Sequence, residues 1–534
     1  MRALSIITVF AFSIICMPTS GHATTVDHHE FEAWLEAPFV AGKDGTRALT
    51  LHFSAPDARP GHTLHWRLDL LAPNGRALRM WRRTQPLEEP GRNVTIRWHA
   101  PPTLRQGVYR LRLRARAGNN PEVEQDWNVA VGALPAAPAA SLQATDAVEA
   151  LPYAIYLGNL HSQTNHSDGG GALDHCTGAQ APQSAALGPA DAYAYARQHG
   201  LDFLMTSEHN HMYDGSDGTN IEADPAAATA LYRSGLQAAA QWNRTHSGFL
   251  AIYGQEWGVI SHGGHLNILN SGELLGWERN ALGELLADTE SPRNDYAALY
   301  RLMRERGWAG QFNHPQRHQF AIGGKPLAWT EDGDQAMLLC EVMNSNAFSA
   351  HTDEAEPRLS TYEAACNQLL EAGYHLAFSS DQDNHCANWG ASYSNRTGVL
   401  VERGAPLDAA SLLAALRARR VFATMDKNAR LILTANGHLM GERFVNRGKL
   451  TLRASYASLS GHRAAAIDIF HGVPGRNGAV AALGGTARTV VTPAAGEHFY
   501  YARVTQDDGK MLWSAPIWVS QQPRNRALRK IELR

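Results

Sequence analysis

Seven short apolar runs in the middle of the chain are each bounded by a side chain that could take part in metal or proton chemistry. The bounding residues are His161, His209, Glu256, His265, His314, Asn344 and Asp381. Apolar runs of this length between polar groups are typical of buried parallel strands. A closed parallel barrel collects the carboxyl ends of its strands on one face, where residues from distant parts of the chain meet. We therefore expect these positions to form a single site.

The residue types at these positions favour a bound metal ion. His, Glu and Asp together offer nitrogen and oxygen donors, a mixture that suits Zn, Mn or Fe. Cysteine bounds none of the runs, which argues against a structural Cys-rich zinc site. A single His at a strand end is more often a hydrogen-bonded structural residue than a ligand, so the inference depends on the repetition.

The first run leads into the most specific motif, GNLHSQTNHSDGGG at residues 158–171. A strand would deliver His161, and the glycine-rich turn could bring Asp168 back toward it, because glycine lets the backbone pass close to a bound group. Three later motifs carry similar residues: TSEHN at 206–210, NHP at 313–315 and SDQDNH at 380–385.

Together these motifs resemble the PHP (polymerase and histidinol phosphatase) superfamily, whose members have a distorted seven-stranded α/β barrel with two or three metal ions. The resemblance implies an α/β fold class, a distorted (β/α)7 barrel, and two or three divalent ions (Zn, Mn or Fe). It also implies metal-ligand roles for His161, Asp168, His209, Glu256, His265, His314, Asp381 or Asp383, and His385.

Two residues depart from the family pattern. Gln163 stands where the second His of a His-x-His pair is expected, and an amide oxygen is a much weaker ligand than imidazole. We therefore expect Gln163 to weaken one metal position, with the nearby His166 as a substitute donor. Glu208 replaces the usual Asp before His209, which is a milder change.

Within the superfamily, three segments resemble the CehA/McbA-type metallohydrolases, whose members include a carbaryl hydrolase. The segments are LRARRVFAT at 416–424, which leads to NGHLMG at 436–441, then YYARV at 500–504, and LWSAPIWV at 512–519. They resemble the end of the barrel and the first and last strands of a C-terminal β domain. The resemblance covers roughly residues 150–520.

The rest of the chain predicts β domains on both sides of the barrel. Alternating runs between Pro, Gly and Asn turns predict an Ig-like β-sandwich at 24–132, and 428–520 predicts a second one. An Ala/Pro linker (133–152) separates the first sandwich from the barrel (153–427), and a basic tail occupies 521–534. Helices are expected between barrel strands, beginning at Gly188-Pro189 or ending at Gly307 and Gly373.

The N-terminus and the cysteines predict export. Residues 1–23 have the form of a signal peptide: Arg2, an apolar stretch at 3–15 and a small-x-small sequence at 21–23. The apolar stretch is shorter than the ~20 residues of a membrane-spanning helix. We therefore expect a periplasmic or secreted protein without a membrane anchor. Its cysteines Cys176, Cys340, Cys366 and Cys386 are either free thiols or include a Cys176–Cys386 bridge.

Length and charge set broad limits on the function. The 534 residues suffice for about three domains. The net charge of −3 gives no overall basic field, so nucleic acid beyond small nucleotides is not an expected partner.

The expected chemistry is hydrolysis of a small molecule. A bound divalent ion lowers the pKa of its water to about 7, so hydroxide can act as the nucleophile. His211 and His385 are the candidate general acids. Arg317, His318 and Lys325 could bind a phosphate or polarise a carbonyl.

Three functions remain open at this stage. The leading hypothesis is a phosphoesterase, and the first alternative is a carboxylic or carbamate ester hydrolase of CehA type. The second alternative is a non-catalytic glycan- or cell-wall-binding protein on a degraded barrel, which Gln163 would favour.

Overall fold

The computed structural model describes residues 31–55, 61–87, 91–134, 151–260 and 263–523. The fold is mixed, consisting mostly of β-sheet with few helices. The predicted signal peptide, most of the predicted linker and nearly all of the predicted basic tail lie outside the described residues. No helix within the described part is long and apolar enough to cross a membrane.

The N-terminal region consists of two antiparallel sheets that share one apolar core. Strands β1, β2 and β5 form one sheet, and β4, β3, β6 and β7 form the other. Alternate residues point inward, as in β2, where Leu49 and Leu51 are fully buried and pack into the same core as Leu64 and Leu68 of β3. The strands are β1 Glu32–Glu36, β2 Thr46–Ser54, β3 Thr63–Leu71, β4 Ala77–Pro86, β5 Gly91–His99, β6 Gly107–Ala117 and β7 Val123–Val131.

All seven apolar runs of the central region form strands, named β8–β11, β14, β15 and β17. The strands here are β8 Tyr153–Asn159, β9 Phe203–His209, β10 Leu250–Trp257, β11 Leu266–Leu269, β12 Leu275–Gly276, β13 Thr289–Glu290, β14 Ala309–Phe312, β15 Met337–Ser345, β16 Leu359–Thr361, β17 Ala377–Asp381, β18 Arg396–Glu402 and β19 Val421–Thr424. The seven strands formed by the apolar runs pair in the order β8-β9-β10-β11-β14-β15-β17.

The prediction of seven parallel strands is wrong for one of them. Strand β11 runs antiparallel to both neighbours, β10 and β14, whereas β8, β9 and β10 are mutually parallel and β14 is parallel to β15. Only eight residues, 258–265, connect β10 to β11, which is fewer than the dozen or more that a crossover between parallel strands needs. Because β11 is reversed, its first residues lie at the edge where the other strands end.

Contacts also join the two ends of this strand series. The segments that follow β8 and β17 meet in a parallel bridge between Ser162 and Asn384. The Leu160 amide donates a 2.7 Å hydrogen bond to Asp381 Oδ1, and the Asp383 amide donates one of 2.9 Å to the His161 carbonyl.

Helices pack around the central strands and end where local sequence stops them. They are α1 Pro189–Gln198, α2 Pro225–Thr245, α3 Tyr296–Arg306, α4 Glu331–Ala336, α5 Glu363–Ala372 and α6 Ala409–Arg417, with a short 3₁₀ turn at Asn210–Asp214. Helix α3 begins where the Asp295 side chain accepts from the Ala298 amide, and it ends at Gly307, whose φ is 70°.

The C-terminal strands form two sheets that share an apolar core, and one of these sheets is continuous with the central strands. Strand β28 pairs with β19, so one sheet continues from the central strands through β28, β27, β24 and β25, with β29 paired to β27 and β22 paired to β29. Strands β21, β20, β23 and β26 form a second sheet. The strands are β20 Ala429–Ala435, β21 His438–Leu439, β22 Arg443–Arg447, β23 Leu450–Ser458, β24 Ala464–Gly472, β25 Ala481–Ala482, β26 Arg488–Val491, β27 Gly496–Gln506, β28 Met511–Ser514 and β29 Ile517–Gln522.

Both terminal regions hold the central one through buried polar contacts. At the N-terminal side, the Thr361 amide donates to Gln125 Oε1 at 2.7 Å. At the C-terminal side, Arg503 lies 2.7 Å from Glu363 Oε2, and the Tyr501 hydroxyl donates to Glu363 Oε1 at 2.6 Å. Because a buried charge is unfavourable without a partner, these contacts fix helix α5 against β27.

Candidate metal centre

Three groups of donor side chains lie together at the edge where the central strands end. Within each group, one donor atom per residue lies within 4.8 Å of the others. The first group is His161, Glu256 and His314, the second is Asp168, His209 and His385, and the third is His209, Glu256 and His265. Glu256 and His209 each belong to two groups, so the three sites form one connected cluster.

Strand register explains why the central donors meet. Glu256 on β10 is the register partner of His209 on the parallel neighbour β9. On the other side of β10, Trp257 is the partner of Leu266 at the start of β11, which places His265 at the same edge. The pairing of short strands in a fixed register thus brings three candidate ligands together, two histidines and one glutamate.

Glu256 lies at the centre of the cluster. Its Oε2 is 2.9 Å from His161 Nε2, and its Oε1 is 3.0 Å from His265 Nδ1. It also lies 3.5 Å from His314 Nε2 and 3.7 Å from His209 Nδ1. Burial raises the pKa of Glu256, but the charges of His161, His265 and His209 outweigh burial and hold it well below its usual range. Glu256 is therefore an ionised donor shared by four imidazoles.

Asp168 is brought into the cluster by the glycine-rich turn. Its Oδ1 lies 3.4 Å from His385 Nε2 and 3.7 Å from His209 Nε2. Gly170 has a φ of 77°, and a Cβ there would lie 2.1 Å from the Leu187 carbonyl oxygen. Only glycine fits so tight a turn, which accounts for the glycines after Asp168 in the motif.

The structure distinguishes between Asp381 and Asp383. Asp383 Oδ1 lies 3.0 Å from His161 Nε2, and its Oδ2 lies 3.9 Å from His314 Nε2. Asp381 instead accepts hydrogen bonds from the Leu160 amide, the Thr397 hydroxyl and Gln311 Nε2. Asp381 therefore supports the strand ends, and Asp383 faces the donors.

Gln163 lies inside the cluster as a hydrogen-bond donor. Its Nε2 donates to Glu256 Oε2 at 2.6 Å, and its Oε1 accepts from the Ser167 hydroxyl at 3.2 Å. The expectation of a weak oxygen ligand is therefore not met in this conformation. His166 does not replace it: its Nδ1 lies 2.7 Å from the Tyr253 hydroxyl, outside the three groups.

The two candidate general acids lie in different places. His385 belongs to the second donor group, which suits a ligand. His211 is buried beside that group, with its ring centroid 5.7 Å from that of His209 and 6.1 Å from that of Trp277. Of the two, only His211 lies outside every donor group, and its Nε2 lies 3.5 Å from Asp217 Oδ1.

A cavity of about 460 Å³ opens on the cluster, and it contains only one of the three predicted substrate-binding cations. His318 lines it together with His314, Asp383, Asn344 and Asn346. Arg317 instead pairs with Glu124 of β7 at 3.4 Å, and Lys325 is exposed and does not line the cavity. The role predicted for Arg317 is thus not supported, because the N-terminal sheet supplies it with a carboxylate partner.

Two residues at the cluster were not predicted as site residues. Glu341 Oε1 lies 3.3 Å from His161 Nδ1, and its Oε2 accepts from the His314 amide at 2.6 Å. Asn313 Nδ2 donates to Glu256 Oε1 at 2.7 Å. Glu341 was detectable as the one charged residue inside the apolar run of β15, and Asn313 as the polar residue before His314-Pro315.

Backbone strain is also found at the cluster. His314 and Asp383 have φ values of 28° and 53°, in the region that favours glycine. Non-glycine residues keep such conformations only where the surroundings enforce them, and they occur often at functional sites.

The donor set fits divalent metal ions. Burial lowers the pKa of His161, but the charges of Asp383, Glu256 and Glu341 outweigh burial and raise it well above its usual range. Four carboxylates, those of Asp168, Glu256, Glu341 and Asp383, lie in or against the buried cluster, and cations would neutralise their negative charge. The His and carboxylate donors suit Zn, Mn or Fe. Several clusters could thus hold metal ions.

Comparisons with known proteins add little. No family model matches the chain, and no curated protein matches it. A β-glucuronidase from Bacteroides uniformis aligns with 92% of this chain and 61% of its own length, at 11% identity and a TM-score of 0.18. A CARDB domain from Pyrococcus furiosus, solved in complex with di-metal ions, aligns with 19% of this chain and 88% of its own length, at 16% identity and a TM-score of 0.15.

A β-glucosidase from Listeria innocua aligns with 20% of this chain, at 14% identity and a TM-score of 0.15. This chain spans only 16% of the glucosidase's length. TM-scores this low carry no argument about fold or function.

Proposed function

We propose that this chain is a metal-dependent phosphoesterase that acts on a small substrate. The observation that carries the proposal is the sharing of Glu256 and His209 among three buried donor groups. A shared ligand holds neighbouring ions close together, and centres of two or more ions can bind both the attacking and the leaving oxygen of a phosphoester.

The strand order supports a distorted seven-stranded barrel of the PHP kind, with CehA/McbA-type metallohydrolases as the nearest resemblance. Strands β8, β9, β10, β11, β14, β15 and β17 would form its wall, and the Ser162–Asn384 bridge would close it. The reversed β11 would be the distortion, and it still delivers His265 to the edge that holds the other donors.

The residues of the chain divide into those that would hold ions and those that orient them. His161, Asp168, His209, Glu256, His265, His314, Asp383 and His385 would hold the ions. Bound divalent ions would lower the pKa of water and stabilise a developing oxyanion. Glu341 contacts the His161 ring and accepts from the His314 backbone amide, and Asn313 donates to Glu256, so these residues orient His161 and Glu256 and hold the backbone at His314.

Charge favours a phosphoester over a neutral ester if three ions bind. Four carboxylates belong to the cluster or contact it: Asp168, Glu256, Glu341 and Asp383. Three divalent ions would exceed this negative charge by roughly two units, which matches a phosphate monoester dianion. Protonation of the leaving oxygen is assigned to His211, which is buried beside the second group.

Hydrolysis of a carboxylic or carbamate ester is the second candidate. Among the described residues that line the cavity, the one Arg, Arg358, is paired with Glu32, so no spare cation is available for a phosphate. Two divalent ions would balance the four carboxylates and suit a neutral carbonyl substrate.

Metal counting and a substrate panel separate the candidates. The full chain is loaded with Zn²⁺ or Mn²⁺, its metal content is measured, and it is assayed with aryl phosphates and aryl esters. We expect about three ions per chain and chelator-sensitive phosphatase activity, which Glu256→Gln abolishes. Two ions with esterase activity alone would support the second candidate, and full activity after complete metal removal would overturn both.

We also propose a periplasmic or secreted location. The structure contains Cys176–Cys386 and Cys340–Cys366 disulfides. Structural disulfides persist in oxidising compartments, which agrees with the export signal expected from the sequence.

A further inference from the structure

The cavity beyond the donor groups lies between the N-terminal sheet and the central region. Residues of β1 and the turn at 120–121 form one side, and residues of β15 and β16 form the other. Six amide side chains line it: Asn120, Gln125, Gln316, Gln319, Asn344 and Asn346. Each amide offers both a donor and an acceptor, as hydroxyl groups also do.

The charges on the cavity wall cancel one another. Arg358 pairs with Glu32, and its guanidinium lies 4.1 Å from the centroid of the Trp34 ring. Burial lowers the pKa of His318, which keeps that imidazole neutral at neutral pH. Asp383, at the inner end, faces His161. The part of a substrate that extends away from the donor groups thus meets a polar but neutral wall.

One buried group on this wall has an unused hydrogen-bond acceptor. Asn344 is 3% exposed, and its Nδ2 donates to Glu341 Oε1 at 2.8 Å. Because a carboxylate only accepts, the amide nitrogen must face Glu341, and the orientation of Asn344 Oδ1 is thereby fixed. Among the described residues, none donates a hydrogen bond to Asn344 Oδ1. Oδ1 itself has almost no solvent-accessible surface, so a ligand that brings a donor reaches this acceptor only when the neighbouring side chains move aside.

We propose that the substrate is the phosphoester of a neutral polyhydroxylated alcohol, a polyol or a sugar, and that one of its hydroxyls donates to Asn344 Oδ1. This inference rests on the proposed function and adds the nature of the alcohol. Asn344 then determines specificity, because an analogue without the hydroxyl leaves the buried acceptor unpaired. The amides farther out along the cavity bind the remaining hydroxyls.

The test compares two probes, glycerol 1-phosphate and n-propyl phosphate, which share the phosphate and the carbon chain and differ in hydroxyls. We expect the metal-loaded full chain to prefer glycerol 1-phosphate by at least about tenfold in kcat/KM. Asn344→Leu keeps the branched shape at Cγ but removes the acceptor and the amide donor to Glu341, and we expect it to bring the ratio close to one. A ratio near one in the unaltered protein overturns the proposal.

Glu341→Gln is the matched control. Its Oε1 can still accept from Asn344, so Oδ1 keeps its orientation, while the charge that orients His161 and His314 is lost. We expect it to lower the rates with both probes and leave their ratio unchanged. If Asn344→Leu does the same, Asn344 only positions Glu341, and the proposal is overturned. Asn344→Ala gives the same comparison if the Leu variant does not fold.

Binding measurements separate failure of this inference from failure of the proposed function. If neither phosphate is hydrolysed, the phosphoesterase proposal fails, and the two dissociation constants are measured by calorimetry with the metal-loaded protein. Tighter binding of glycerol 1-phosphate that Asn344→Leu abolishes supports the polyol subsite. Equal binding of the two compounds, or binding of neither, overturns it.

Discussion

Gln163 donates its amide hydrogen to Glu256 Oε2 at 2.6 Å, the same oxygen that lies 2.9 Å from His161 Nε2. The amide thus occupies the place next to the shared carboxylate where an imidazole nitrogen could bind an ion. Gln163 supplies a hydrogen bond there and no strong ligand, which leaves the first donor group with His161, Glu256 and His314.

Replacing Gln163 with His should strengthen metal binding. A neutral imidazole is a much better donor than an amide, so we expect the chelator concentration that removes half of the metal to rise about tenfold. Gln163→Leu removes the hydrogen bond without adding a donor, so it should lower the chelator concentration that removes half of the metal. Metal retention that is equal in the His variant and the unaltered protein would show that Gln163 faces substrate or fixes Glu256.

Loss of metal should follow the number of groups to which a residue belongs. Glu256 belongs to two groups and His314 to one. We expect Glu256→Gln to lose about two ions and His314→Ala about one, each with a fall in kcat/KM of more than about 100-fold. The measurement is elemental analysis of the purified variants beside the assay.

The control for this series is Glu371→Gln. Glu371 is also buried, but it accepts from the Gly478, Ala479 and Val480 amides and belongs to none of the donor groups. The substitution Glu371→Gln should lower the stability of the protein and leave its metal content unchanged. Equal metal loss in all three variants would mean that the ions depend on overall folding rather than on these donors.

The two disulfides should contribute unequally to stability. Cys176–Cys386 joins residues 210 apart and Cys340–Cys366 joins residues 26 apart. In the chain-entropy model these loops correspond to about 5 and about 3.5 kcal/mol. We expect Cys176→Ser/Cys386→Ser to lower the denaturation midpoint more than Cys340→Ser/Cys366→Ser. Since Cys386 follows His385, the double substitution Cys176→Ser/Cys386→Ser should also lower metal retention. A larger decrease in the denaturation midpoint for Cys340→Ser/Cys366→Ser would contradict the chain-entropy model.

Breaking the buried pair between helix α5 and β27 should be strongly destabilising. Arg503 and Glu363 are each 5% exposed, so Glu363→Ala leaves the guanidinium buried without its main partner. We expect a loss of about 3–5 kcal/mol in the free energy of unfolding, measured with denaturant. Glu290→Ala, which breaks the exposed Arg279–Glu290 pair, should cost at most about 1 kcal/mol. Equal losses of unfolding free energy in the two variants would show that the buried pair contributes no more to stability than the exposed pair does.

The sequence by itself determined the local elements. Each of the seven apolar runs forms a strand, because buried strands need continuous apolar residues and their ends need polar ones. Helix ends followed from residues next to them in sequence, such as Gly307 after α3. The candidate donors His161, His209, Glu256, His265 and His314 were identified because they lie at strand ends, and strand register brings His209, Glu256 and His265 together.

Only the tertiary structure decided how side chains pair over long sequence distances. It directed Asp383 rather than Asp381 toward His161, reversed β11, and supplied Arg317 with Glu124, a residue 193 positions away. It also placed Glu341 against His161 and joined Cys176 to Cys386. Helix caps and apolar periodicity depend on neighbouring residues, whereas the partner of a buried charge or thiol depends on which distant strands pack together.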